Sequence, residues 1–370
     1  NDSPVWSVGT HRGIISKIDA LFAIANVITL SDLGRFLELA RIVLSEDDPS
    51  LDIPEKDRWW ADAQGKRREF SGTLRTGFGE TLVLLAVHGK RLFGSRVSFD
   101  GALEADRLVR DVLLPLTTRK LEANDRDLTV YAEASPDAFL KILEDDLRKD
   151  NPDVFGLLRP VDHGLLGVGI VRTGLLWALE GLAWSRETFL RTVIVLGRLS
   201  EVELKDNWSN KPINSLGGIF RSWMPQTTAT HEERVRAVAK LIEKYPRVGW
   251  SVVIGQFGTY GNDIGHYSYK PKWRTDGYGA GAPFKVVGPA YEFQKAMVEM
   301  ALSQQAYTAA MLCDLIERLH ILGSDYQKQV WDILNTWLAM QPSDHDIAQV
   351  REKIRVTVLS RRRRKRGSAG

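Results

Sequence analysis

Apolar residues along this chain recur mostly three and four positions apart, the spacing of a helix buried on one face. Ile14, Ile15, Ile18, Leu21, Phe22 and Ala25 predict a first helix. Leu33, Phe36, Leu37, Ala40 and Val43 predict a second, with Ser31 and Asp32 able to cap it. The stretch from Glu46 to Lys56 is acidic, carries two prolines and reads as a loop. Further helices are expected near Lys66 to Phe93 and Leu103 to Leu116. Another runs from Ser135-Pro136 to about Lys149, with proline at its first position, where a missing N–H costs nothing.

Residues 151–171 hold Pro152, Pro160, Gly156, Gly164, Gly167 and Gly169 without a sustained period, and read as a connection between an N-terminal helical region, 1–150, and a second region, 172–360. In the second region a tryptophan-bearing helix is followed three times by a short loop, a hydroxyl cap and another helix. Trp184 leads to Ser185, Trp223 to Thr230 with Glu233, and Trp337 to Ser343 with Asp346. Thr230 and Glu233 have the spacing of a capping box. The 39 residues from Trp184 to Trp223 match a helical-hairpin repeat, and such hairpins bury their faces by stacking. The expected fold is therefore all-α, an irregular helical-repeat, α-solenoid-like array. An inserted loop, 255–288, interrupts it with eight glycines and no helical period.

Composition narrows the function classes. Apolar residues make up 44% and charged residues 26%, which excludes a disordered or collagen-like chain. Apolar runs such as 82–87 and 193–196 are far shorter than the roughly 18 residues of a membrane span. One cysteine, Cys313, excludes an internal disulfide framework or a multi-thiolate zinc site. The net charge of +3 comes from a basic tail, 361–370, in which Arg361, Arg362, Arg363, Arg364, Lys365 and Arg366 are consecutive. Removing those six of the 50 basic residues leaves 44 against 47 acidic ones, so the body is slightly acidic. The first residues, Asn1-Asp2-Ser3, and the last, Gly367-Ser368-Ala369-Gly370, read as the ends of a fragment.

Few residues suggest catalysis. Gly72 and Gly77 have the G-x-x-x-x-G spacing of a phosphate loop, but Phe78 and Gly79 stand where Lys and Ser or Thr are needed, so a small-residue helix contact is expected instead. The seven histidines, 11, 88, 163, 231, 266, 320 and 345, include no i, i+4 pair and predict no metal site. Cys313 reads as a buried, inert thiol on a helix from Tyr307 to Leu322. Glu46-Asp47-Asp48 and Glu144-Asp145-Asp146 read as solvated surface. No cofactor is expected. Two features stand out as binding candidates. The loop carries Tyr260, His266, Tyr267, Tyr269, Lys270, Lys272, Trp273, Arg274 and Tyr278, an aromatic and basic mixture that suits a protein hot spot or stacking on bases. The tail supplies six cations for phosphates, or for the C-terminal end of its own helix.

Residues 6–19 (WSVGTHRGIISKID), 172–180 (RTGLLWALE), 207–214 (NWSNKPIN), 247–250 (RVGW) and 272–274 (KWR) carry a family resemblance. They resemble the long helical regions downstream of the ATPase module in large bacterial antiviral STAND-type NTPases. The resemblance implies a cytoplasmic, helical-repeat sensor that binds a viral protein and works with an NTPase and an effector elsewhere in its parent chain. It supplies no sensor residue that transfers by position. The reading is thus a non-catalytic recognition or scaffold region with a protein partner and no membrane. One alternative is a nucleic-acid-binding helical-repeat protein using the loop and tail. A second is a hydrolase with a dispersed site near His11, His163 or His266.

Overall fold

The Thr29 hydroxyl accepts from the Asp32 N–H at 3.2 Å, and the Asp32 carboxylate accepts from the Thr29 N–H at 2.8 Å. This reciprocal cap starts a 15-residue helix, Leu30–Leu44, two residues earlier than Ser31 and three earlier than Asp32 would as caps. The computed structural model describes residues 5–162, 168–257, 270–274 and 286–367. Among them the fold is an all-α array of helices with two small hairpins and no closed sheet.

The chain divides into two units. The first runs to Ser215 and takes in residues 270–274; the second comprises the other described residues after Ser215. In the first unit, hairpin β1 (Val5–Val8) and β2 (His11–Ile14) precedes α1 (Lys17–Ile24) and α2 (Leu30–Leu44). After short 3-10 turns come α3 (Gly72–Val97), α4 (Gly101–Leu113), α5 (Thr118–Ala123), α6 (Leu128–Ala134) and α7 (Pro136–Asp146). Residues 151–162 and 168–171 lie within this unit, as a 3-10 segment and the antiparallel pair β3 (Pro160–Asp162) and β4 (Val168–Ile170). Then follow α8 (Thr173–Leu182), α9 (Arg186–Ser200) and α10 (Pro212–Ile219), within which the division falls. The second unit continues with α11 (His231–Lys244), α12 (Pro246–Gly255), α13 (Gly288–Leu302), α14 (Ala309–Arg318), α15 (Ser324–Ala339) and α16 (Asp344–Gly367).

The first expected helix is shorter than its pattern. Ser16 caps α1, and Ile14 lies on a strand instead. Gly9, at φ +59°, makes the two-residue hairpin turn, and Trp6 lies over Gly13, where any Cβ would collide with the indole. Three other expected caps are present. Ser185 accepts from the Glu187 N–H, Thr230 and Glu233 form the capping box, and Ser343 accepts from the Asp346 N–H at 3.2 Å. The helix expected to reach Trp223 stops at Ile219.

Helix α3 is the centre of the first unit, with Leu82, Val83, Leu84 and Leu85 buried together. The small-residue contact expected at Gly72 and Gly77 is not there; a Cβ at either would meet open space. It lies further along, at Gly79 against Val130 on α6 and Gly89 against Gly101 on α4. Two buried arginines tie loops to helices. Arg75 reaches Asp127, Asn124 and the carbonyls of Val43 and Leu44. Arg172 reaches Asp206 and the carbonyls of Leu158 and Asn210.

In the second unit Tyr245 ends α11 and begins α12, and Gly249 lets α12 pack directly on the backbone at Ile242. Trp250 donates its indole N–H to Asp314 at 2.8 Å, joining α12 to α14. Lys353 of α16 meets Glu317 of α14 at 2.6 Å.

Candidate interaction site

Four of the loop residues singled out in the sequence, Lys270, Lys272, Trp273 and Arg274, come together as one short segment on the first unit. Tyr260, His266, Tyr267, Tyr269 and Tyr278 lie outside the described residues. The segment binds across α3 and α6. Lys272 Nζ stands 2.7 Å from Glu80 Oε1, and Lys17 of α1 holds the other oxygen of the same carboxylate. Glu133 Oε1 accepts the N–H groups of Trp273 and Arg274, the latter at 2.9 Å. The Arg274 guanidinium donates to the Glu133 carbonyl at 2.6 Å.

Between these polar contacts the Trp273 indole packs, partly buried, on the apolar cluster of Leu21, Ala25, Leu33, Leu84, Leu85, Phe93 and Phe99. The ammonium groups of Lys272 and Lys17 lie 4.7 and 5.6 Å from its ring centroid, and Lys270 lies 4.8 Å from the buried ring of Trp184. Burial alone would raise the Glu80 pKa; the hydrogen bonds and charges of Lys17 and Lys272 outweigh it and hold the carboxyl below its ordinary value. Beside Lys270 and Pro271 a cavity of about 30 Å³, lined by Thr129, Glu133 and Trp177, has room for a water and not for a metabolite.

The acidic runs are engaged in structure. Asp47 pairs with Arg119 at 2.8 Å, and Asp48 accepts the Ser50 N–H. Glu144 pairs with Arg191, Asp145 with Lys141, and Asp146 accepts the Val154 N–H at 2.9 Å. Four histidines are scattered: His88 is edge-on to Phe22, His231 edge-on to Phe293, His320 sits beside the Glu317 carbonyl, and His345 is exposed. His163 and His266 lie outside the described residues, as does the side chain of His11. No group of three or more His, Cys, Asp or Glu among the described residues could hold a metal ion. Cys313 is half-buried rather than buried, on α14 with its Sγ 3.8 Å from the Gln349 carbonyl of α16; burial still pushes its thiol up.

Exposed apolar side chains that the helical pattern missed recur through the N-terminal end of the first unit. Val8 and Ile15 are each 70% exposed and Val27 76%, with Val5, Trp6, Ile14, Ile24 and Leu30 also exposed. The hairpin in this stretch has its signal in the sequence at Gly9-Thr10, between two short β-prone runs. In α16 the backbone stays helical through Arg361–Arg366. No helix among the described residues is long and apolar enough to cross a membrane.

Comparison with family models, with curated proteins and with solved structures finds no match to this chain.

Proposed function

We propose that this chain is a non-catalytic recognition and scaffold region of a larger protein, the ligand-sensing helical part of a bacterial antiviral NTPase of the STAND type. The recognition part rests on one observation, the run of exposed apolar side chains from Val5 to Leu30. So many exposed apolar side chains within one short stretch are the kind of surface that a partner covers. The sensor part rests on the resemblance of residues 6–19, 172–180 and 207–214, and assigns nucleotide hydrolysis to another part of the parent.

The test is to express the whole reading frame containing this stretch with individual viral proteins and to follow ATP hydrolysis and complex formation. One viral protein should raise hydrolysis, and Val8→Ser, Ile15→Ser and Val27→Ser together should break the complex. A product with no strand–G-x-x-x-x-G-K-[ST]–helix module overturns the NTPase assignment. A complex that survives the triple substitution overturns the surface.

The helical backbone through Arg361–Arg366 favours a second reading, in which the tail contacts nucleic acid phosphates. Binding to duplex DNA would then weaken with salt with a slope of about −0.9 per phosphate contacted, and removal of residues 361–370 would flatten it. A flat response in the intact chain ends this reading.

A further inference from the structure

We infer that the face of α1, α3 and α6 that holds Lys270–Arg274 is a peptide-binding groove, now filled by the chain's own segment, and that it fits a partner segment carrying a tryptophan flanked by lysine and arginine. Its contacts join residues 140 and 192 positions apart, so local chain geometry does not impose them. Each contact is of a kind that recognises an incoming peptide. Glu133 reads two backbone N–H groups whatever their side chains, Glu80 reads a cation, and the cluster around Leu84 and Phe93 reads an aromatic ring.

The groove also tolerates losing its occupant. Glu80 carries two lysines where one neutralises it, so Lys17 keeps the buried carboxylate paired when Lys272 leaves. Lys272 has a side chain 67% exposed and returns to water at little cost. Glu133 is half-buried, and solvent can replace the two N–H donors it gives up. Two acidic groups facing one apolar patch select a basic-aromatic segment over an acidic or wholly apolar one. That such a segment belongs to a recognised protein rests on the proposed function; the existence of the groove does not.

The test uses the full chain and a labelled peptide of sequence Lys-Pro-Lys-Trp-Arg. With Lys272→Ser, Trp273→Ser and Arg274→Ser vacating the groove, the peptide should bind at least about tenfold more tightly than to the unaltered chain, whose own segment competes. Adding Glu80→Gln and Glu133→Gln should abolish binding, as should alanine in place of the peptide's tryptophan. A vacated chain with an unchanged melt that ignores millimolar peptide overturns the groove. Should the vacated chain fail to fold, hydrogen exchange of the unaltered chain decides: excess peptide should expose the amides of residues 273 and 274, and unchanged protection overturns the proposal. A dimer of the unaltered chain that the triple substitution dissolves would make a second copy the occupant and overturn the partner assigned here. Peptide binding with no viral ligand for the parent would leave the groove standing and remove only the sensor reading.

Discussion

Arg75 lies 2.8 Å from Asp127, with both side chains almost out of solvent, and the same guanidinium holds the carbonyls of Val43 and Leu44 at the end of α2. One side chain thereby satisfies a helix terminus and a loop carboxylate together. Replacing it strands both. Arg75→Met should cost about 3–5 kcal/mol, the range for breaking a buried pair from one side. Urea unfolding measures it, and a loss below about 1 kcal/mol would show that water substitutes for the guanidinium.

Two partly buried carboxylates should titrate in opposite senses. Burial would raise Asp206, but the Arg172 hydrogen bond, the Trp208 N–H and the charges of Arg172 and Lys211 hold it below its ordinary value. Its contribution is present above the unfolded pKa of about 4 and is lost as pH falls through the lower folded value. Glu180 is raised by burial, and the Ser215 hydroxyl at 2.7 Å offsets this only in part. Its charge therefore opposes folding once pH rises past the unfolded value. Glu180→Gln should raise the Tm at pH 8 and leave it unchanged near pH 3. Asp206→Asn should lower the Tm at pH 7 and flatten its fall in acid. Tm measured from pH 3 to 8 checks both, and matching responses from the two variants would refute the assignment.

How far such pairs could be foreseen depends on what sets them. The helices α2, α9, α11 and α16 were legible because amphipathic spacing and cap residues are local: Ser185, Thr230 with Glu233, and Ser343 sit within three residues of the groups they satisfy. The Arg75 network was not, since its partners lie 31 to 52 positions away in the chain. Residues 14 and 15 misled for a different reason. A strand followed by a helix can mimic one continuous apolar stripe, and only the Gly9-Thr10 turn and the Ser16 cap break it. The acids that Lys272, Trp273 and Arg274 meet, Glu80 and Glu133, belong to helices far away in sequence, so spacing along the chain does not name them.

Arg234 is 2% exposed, and among the described residues no carboxylate pairs with it. It donates to the Arg221 carbonyl at 3.3 Å and lies 4.1 Å from the Phe293 ring, while its Nε has no partner. Burial lowers its pKa to about 10. An uncompensated buried cation opposes folding, so Arg234→Met, similar in volume and apolar, should hold or raise the Tm. A fall of more than about 1 kcal/mol in unfolding free energy would instead mean that the ring contact and single hydrogen bond outweigh desolvation.

Two glycines on neighbouring helices separate packing from propensity. At Gly101 a Cβ would stand 1.8 Å from the Leu85 carbonyl oxygen, on the backbone of α3, which has no rotamer with which to yield. Gly101→Ala should therefore push α4 off α3 and cost about 3 kcal/mol or more. At Gly77, inside α3, a Cβ meets nothing within 4 Å, so alanine brings only its better helix propensity and should stabilise by about 1 kcal/mol. Because both substitutions add the same methyl group, their opposite signs in one unfolding assay would isolate the close approach of α3 and α4 as the cause. If Gly101→Ala stabilises as Gly77→Ala does, the approach at Gly101 is looser than the backbone geometry requires.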